Sequence, residues 1–443
     1  MKPFKFYLVT DTHYFEPSLG CSGEAYENYM RNEMYCLAES SEIVRAVFAR
    51  IAEDSETDTV IIPGDLSKDG EKQSHISFIK ELKKLKASGK KVFVITAGHD
   101  YNDNPGGYVG SEKVPVEGTT LDELYDLYYE FGYSEALSVD RQTLSYVAEV
   151  AEGVRMIAFN CDSDRSLKGN IDDRLLDWAK TEIDRAKADG CFIFAINHYP
   201  IIPPVPVFDL IGDAHIKNWR RVASFLADNG VHLAFTGHMH IQSINEFYSD
   251  SGNKFVDICT SVLVGSPAKY RHITIEDENT VEIKTVDVPE FGRDLGGKTP
   301  EEFFDARAEW AAVNRINRAL GGSEGMVKFL KQRASKIFNN KTLGQLGRML
   351  CIKVDPSIKD KKFTTFAGEM ARDIFKGDQP YVEGTPEYDA VNRFLSRFGF
   401  VLGKVSKKLA KDGEAPDLKA MVLGTIGNSK GFSDNNATVK LDK

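Results

Sequence analysis

Seven side chains of metal-ligand or acid–base type stand where apolar runs break off: Asp11, His13, Asp65, His99, His198, His238 and His240. Two pairs are spaced i, i+2, Asp11-Thr12-His13 and His238-Met239-His240, and alternate residues of an extended segment share a face, so each pair can address one ion. Gly237 lies between the run Val231–Phe235 and its two histidines, where a residue without Cβ lets the chain turn sharply. Imidazole mixed with carboxylate suits Mn, Fe or Zn better than Ca or a structural thiolate zinc. Six ligands are too many for one tetrahedral ion. Two ions about 3.5 Å apart, bridged by one carboxylate, would use them all and could clamp the attacking and leaving oxygens of a phosphoryl group.

The elements that must present these residues can be read from periodicity. Strands are predicted at Phe4–Thr10, Asp58–Pro63, Lys91–Thr96, Cys191–Ile196 and Val231–Phe235, each ending just before a candidate residue. Helices are predicted at about 31–54, 71–88, 121–131, 171–188 and 215–229, and an antiparallel pair at 143–150 and 154–160 turns at Glu152-Gly153. Such alternation implies a sheet whose strand ends form a crevice, the usual ligand position in open α/β sheets. The stretch 101–120 has no periodicity and reads as a long loop over the strand ends. Beyond His240 the pattern becomes antiparallel strands, at 241–248, 254–259, 271–275 and 281–286. A Gly-rich, charged linker follows at 289–299, then helices from Thr299-Pro300-Glu301-Glu302, which carries a cap, a first-turn proline and acidic residues. The expected division is 1–290 for the catalytic domain, 300–427 for a helical domain and 428–443 for a polar, frayed tail.

Composition separates the two parts. The 443 residues carry a net charge of −10, but residues 1–300 hold −17 and residues 301–443 hold +7, and all nine histidines lie at or before His272. An acidic body argues against a nucleic-acid polymer as partner, although a metal site can still attract a small phosphate. The six cysteines form no Cys-x-x-Cys pair and read as reduced thiols. With no apolar signal core and no run of about 20 apolar residues, the expected location is cytoplasmic, away from membranes. The oligomeric state is open.

Asp11-x-His13, Gly64-Asp65, Gly98-His99-Asp100, Asn197-His198 and Gly237-His238-x-His240, in that order, resemble the five motifs of the calcineurin-like metallophosphoesterases. Over residues 4–286 the resemblance implies an α/β fold, a metallophosphoesterase-type αββα sandwich of two facing mixed sheets. With the C-terminal all-helical domain, the chain is similar to bacterial cyclic-nucleotide phosphodiesterase-like members. It further implies two divalent ions, Asp11, His13 and His240 on one, His198 and His238 on the other, and Asp65 bridging. His99 would be the proton donor, with Asp100 beside it among the catalytic residues. Asp69 and Asp100 are carboxylates able to orient His99 or to cap a loop.

The family's third motif reads Gly-Asn-His-Asp/Glu, with Asn on the second metal, whereas Gly98 here has no side chain to coordinate. Water is the expected substitute, ahead of Asn102 or Asn197, leaving the second ion weakly held. The function expected is hydrolysis of a small phosphate ester, a phosphodiester before a monoester. Water activated between the ions attacks phosphorus in line, and His99 protonates the leaving oxygen. The competing reading is a metal-binding, non-enzymatic protein that recognises a phosphorylated ligand or scaffolds a partner.

Overall fold

A computed structural model describes residues 1–31, 33–101, 104–162, 169–321, 341–410, 415–427 and 430–442, with only the backbone over 312–321. In chain order the strands are β1 (Phe4–Leu8), β2 (Thr59–Pro63), β3 (Lys91–Ile95), β4 (Gly106–Val109), β5 (Glu112–Pro115), β6 (Ala136–Asp140), β7 (Ser145–Ala151) and β8 (Val154–Ala158). They continue with β9 (Phe192–Ile196), β10 (Leu233–Thr236), β11 (Ser243–Tyr248), β12 (Lys254–Cys259), β13 (Lys269–Asp277), β14 (Thr280–Asp287) and β15 (Ala437–Lys440). One sheet runs β15-β14-β13-β1-β2-β3 and the other β11-β12-β10-β9-β8-β7-β6. Both are mixed: β1, β2 and β3 are parallel, as are β8, β9, β10 and β12, with antiparallel strands outside them.

The parallel strands are short and apolar because both of their faces are covered; β2, Thr-Val-Ile-Ile-Pro, is buried throughout. Between the sheets, Phe6 of β1 stacks on Phe194 of β9 at 5.8 Å and meets Phe235 of β10 edge-on at 5.1 Å. Helices α2 (Ser40–Glu53) and α3 (Lys72–Ala87) form one outer layer, and α5 (Asp173–Ala188) and α6 (Trp219–Asp228) the other. On α2 the residues Ile43, Val44, Val47, Phe48 and Ile51 are buried, the 3.6-residue stripe read from the sequence. The architecture is the αββα sandwich with helices beyond it.

Several elements differ from the periodicity. The predicted helix 31–54 begins only at Ser40, because Tyr35 bridges Gly265 and Cys36 N donates to Val264 O, which pulls that segment into extended contact. It is preceded by α1 (Glu24–Met30), and α4 (Leu121–Leu127) fills part of the predicted helix 121–131, opened by the Thr120/Glu123 capping box. The stretch 101–120 carries the hairpin β4-β5. Strand β12 runs parallel to β10, not only antiparallel to its neighbour β11.

Residues 289–299 are docked: Phe291 packs against Phe303 and Phe304, and Arg293 pairs with Glu42. Helix α7 (Pro300–Gly321) opens with the expected reciprocal cap, Glu302 N donating to Thr299 Oγ1 and Thr299 N to the Glu302 carboxylate. The largest correction concerns the tail. Ala437–Lys440 is no frayed end but an edge strand on β14, and the wholly buried Arg271 donates to the carbonyls of Asp434 and Asn435. A buried guanidinium needs acceptors, and this polar segment supplies them. The sandwich therefore draws on both ends of the sequence.

Candidate metal centre

Strands β1, β2, β3, β9 and β10 all end at the same edge of the sandwich. Parallel pairing aligns the carboxyl ends within each sheet, and the facing of the two sheets brings both sets together. Five of the six candidate ligands turn out of their strands in the left-handed region: Asp11 (φ 51°), His13 (35°), Asp65 (49°), His238 (69°) and His240 (58°). A non-glycine residue there costs about 1–3 kcal/mol and persists only when its surroundings over-determine it. Here the turns brace one another, with Asp11 N donating to Gly64 O, His13 N to Asp65 O and His238 N to the Asp11 carboxylate at 3.0 Å. Gly237 permits the last of these, since a Cβ at that position would lie 2.2 Å from Thr10 Oγ1 and 2.5 Å from Asp11 Oδ2. Behind them, the buried Asp257 carboxylate accepts from Ile201 N, Ile202 N and Thr236 Oγ1, tying the loop after β9 to β10.

The outcome is three overlapping triads, Asp11–His13–His240, His13–Asp65–His99 and Asp65–His198–His238, the ligand atoms of each within 4.8 Å of one another. His240 Nε2 is 3.3 Å from Asp11 Oδ1, and His198 Nε2 is 3.0 Å from Asp65 Oδ2. Asp65 Oδ2 is also 3.9 Å from His13 Nε2, so its carboxylate faces the first triad as well as the third. The ring tautomers suit ligation: His198 Nδ1 donates to Pro63 O at 2.8 Å and leaves Nε2 for the cleft, and His238 Nε2 donates to Asp213 O at 2.6 Å and leaves Nδ1. Tyr35 stacks on His13 at 4.7 Å and Tyr199 on His238 at 3.9 Å, which fixes both ring planes.

The electrostatics point to a cation. Burial pushes the Asp11 carboxyl up, but the hydrogen bond with His240 and the charges of His198 and His240 outweigh it and hold the group down to about 2. Asp65 is held well below the usual carboxylate range, burial opposing and His198 and His99 prevailing. Burial pushes His13 down to about 3 and, with the charge of His198, His238 down to about 4, whereas His198 itself is raised to about 10, burial opposing and the charge of Asp65 prevailing. Neutral imidazole is the form that ligates. Asp11 Oδ1 and His198 Nε2 are buried with no hydrogen-bond partner, as atoms that bond to an ion would be. The donor set fits a pair of divalent cations.

His99 belongs to the middle triad, with its backbone N 3.3 Å from Asp65 Oδ1 and its side chain 41% exposed. Its Nδ1 donates to Lys68 O at 2.5 Å and faces Asp69 Oδ1 at 3.1 Å. Burial lowers its pKa, but the charge of Asp65 and the hydrogen bond and charge of Asp69 override this and raise it to about 10. Asp100, grouped with His99 in the sequence reading, does something else: its carboxylate accepts from Ala97 N and Ser67 N at 2.9 and 2.8 Å and holds the turn. Asp69 is the carboxylate that reaches the His99 ring. Of the other histidines, His75 bonds Tyr128 and the Asp100 carbonyl, His215 the Ile216 carbonyl, His232 the Lys254 carbonyl and His272 Thr57.

Gly98 has an unforeseen neighbour. A Cβ on Gly98 would lie 2.5 Å from Oδ2 of Asp162, a residue only 2% exposed. The side-chain amide of Asn197 is engaged with Tyr199 O, and Asn102 lies outside the described residues. Asp162, Asp213 and Tyr35 escaped the sequence reading. Asp162 alone carried a signal, since the predicted strand 154–160 also breaks off at an Asp, in Asn160-Cys161-Asp162.

A family model described as calcineurin-like phosphoesterase matches residues 4–242. A probable cyclic nucleotide phosphodiesterase of Rhodococcus erythropolis (strain PR4 / NBRC 100887) is 25% identical over 221 residues, which are 49% of this chain and 63% of that relative. The match thus spans less than two thirds of the relative's length. Among solved structures, a dimetal phosphatase from Danio rerio is similar with a TM-score of 0.47 at 14% identity, covering 64% of this chain and 97% of that one. A purple acid phosphatase from yellow lupin (Lupinus luteus) seeds is similar with a TM-score of 0.40 at 10% identity, covering 65% and 52%. With its motifs in order along a matched span of more than half its length, this chain belongs to the calcineurin-like phosphoesterase family.

Proposed function

We propose that this chain hydrolyses small phosphate esters, phosphodiesters by preference, at a dinuclear metal centre. The observation that carries the reading is the set of overlapping triads, one of which includes His99. Asp11, His13 and His240 would hold one divalent ion, Mn, Fe or Zn, and His198 and His238 the other, with Asp65 facing both. Such ions supply Lewis acidity, lowering the pKa of water and offsetting the charge of the phosphoryl group. The protein's own contribution is placement and a proton. Its strained turns fix the ligands before any substrate arrives, and preorganised charge costs no rearrangement during reaction. His99, cationic at neutral pH and held at Nδ1 by Lys68 O and Asp69, keeps Nε2 as the donor to the leaving oxygen.

An alkoxide leaving group needs that donor more than an aryl oxide does, in a monoester or a diester alike. The name of the Rhodococcus relative supports the diester preference. The reading as a non-enzymatic binder rested on Gly98 alone, and it gives no use to a histidine held cationic among the triads. Metal analysis with parallel assays of an aryl phosphodiester and the matching monoester tests the proposal. Two bound ions and a higher kcat/KM on the diester are expected. Two ions with faster monoester turnover would overturn the diester preference, and two ions with turnover of neither would favour the binder.

A further inference from the structure

We infer that the helix Gly399–Lys408 docks this protein on an anionic lipid surface; the inference stands apart from the hydrolysis proposed above. From Ala390 to Lys411 the sequence holds six basic residues and no acidic one, inside a chain whose net charge is −10. The helix packs on its neighbours Pro386–Arg397 and Leu418–Ile426 through one side, where Leu402 and Ser406 are half-buried and Ser406 Oγ donates to Pro416 O. Every other residue of the helix is exposed, Phe400 by 78% and Val401 by 54%. Val401 and Val405, with Leu409 at the cap, are spaced by four and form an apolar row. Phe400, Lys404 and Lys408 form the row beside it, with Lys407 beyond. The Lys404 ammonium lies 4.5 Å from the centre of the Phe400 ring, so charge and aromatic surface share one patch.

Apolar tips interleaved with lysines fit a bilayer boundary better than a folded partner. Protein interfaces are depleted of lysine, whereas a headgroup region accepts aromatic and aliphatic tips while lysine stems reach back to the lipid phosphates. A second copy seated on this face would set like charges against like, because a two-fold contact apposes the same patch on both subunits. Charge also decides which face must lead. Residues 1–300 carry −17 and are repelled by anionic lipid, while residues 301–443 carry +7 and are drawn to it. The sequence pointed away from membranes because no run is long enough to span one. A helix that lies in the interface needs no such run, and no helix among the described residues is long and apolar enough to cross.

The full-length chain is sedimented with vesicles of phosphatidylcholine alone and of a two-to-one mixture of phosphatidylcholine and phosphatidylglycerol, at low and at high salt. Wild type should bind the mixed vesicles, leave them at high salt and ignore phosphatidylcholine. Each lysine near such a surface is worth about fivefold in affinity, so Lys404→Gln/Lys407→Gln/Lys408→Gln should weaken binding about a hundredfold. Phe400→Ser/Val401→Ser should weaken it about tenfold or more through lost apolar burial. All five side chains are exposed, so both variants should keep the wild-type Tm, which separates lost docking from lost fold. No binding to the mixed vesicles, equal binding to phosphatidylcholine, or binding unaltered in both variants would overturn the inference. So would a wild-type dimer, seen by light scattering, that Phe400→Ser/Val401→Ser converts to monomer, since the face would then belong to a second copy.

Discussion

Neutralising Asp69 separates the proton-donor role of His99 from its place in the structure. The Asp69 carboxylate is 3.1 Å from His99 Nδ1. At that distance a unit charge is worth about 1 kcal/mol at the dielectric of water and about 5 kcal/mol at an effective dielectric of 20. The His99 side chain is 41% exposed, so screening favours the low end, about 1.4 kcal/mol, or one pH unit. His99 is a raised histidine, so the donor is present below its pKa and lost as pH rises through it; the alkaline limb of kcat/KM reports that loss. With cations bound, the Asp65 contribution is offset and the limb falls below 10, whereas the Asp69 contribution survives. Asp69→Asn should therefore move the alkaline limb down by about one pH unit with little change in metal content. His99→Ala should lower turnover by at least about 10²-fold and remove the limb altogether. An alkaline limb unmoved in Asp69→Asn, or metal lost from His99→Ala, would refute the reasoning, the second by making His99 a ligand.

Asp65→Asn should reduce the bound metal, measured by elemental analysis, because its carboxylate faces the ligands of both ions; wild-type stoichiometry would disprove the shared position. Gly237→Ala should lower metal uptake, since its Cβ would meet Thr10 Oγ1 and Asp11 Oδ2, while Gly403→Ala, on an exposed helix with open space around it, should leave uptake alone and stabilise by about 0.5–1 kcal/mol. Deleting residues 434–443 removes two carbonyl acceptors from the buried Arg271 and bares the edge of β14, and should cost about 3–5 kcal/mol, read as a Tm lower by roughly 10 °C. Truncation near Phe291 carries the same cost, and an unchanged Tm in either deletion would contradict it.

What the sequence by itself determined is the set of strand ends and the order in which Asp11, His13, Asp65, His99, His198, His238 and His240 follow them. That was legible because the strands are short apolar runs, and because parallel pairing aligns carboxyl ends within each sheet. The stripe on α2 and the cap at Thr299 were equally readable, since helix periodicity and capping are local. What only the tertiary structure decided depends on contacts between distant segments. Residues 437–440 read as a polar tail, yet β14 has an open edge and the Arg271 Nη1 lacks its two carbonyl acceptors, Asp434 O and Asn435 O, until that segment arrives. Asp69 rather than Asp100 meets the His99 ring, because the turn at 98–100 consumes the Asp100 carboxylate. Gly98 looked like a missing side chain, but a glycine in a sequence does not say what fills its space. Here Asp162, sixty-four positions away, sits against it, and only the facing of the two sheets, with β3 in one and β8 in the other, brings the two together.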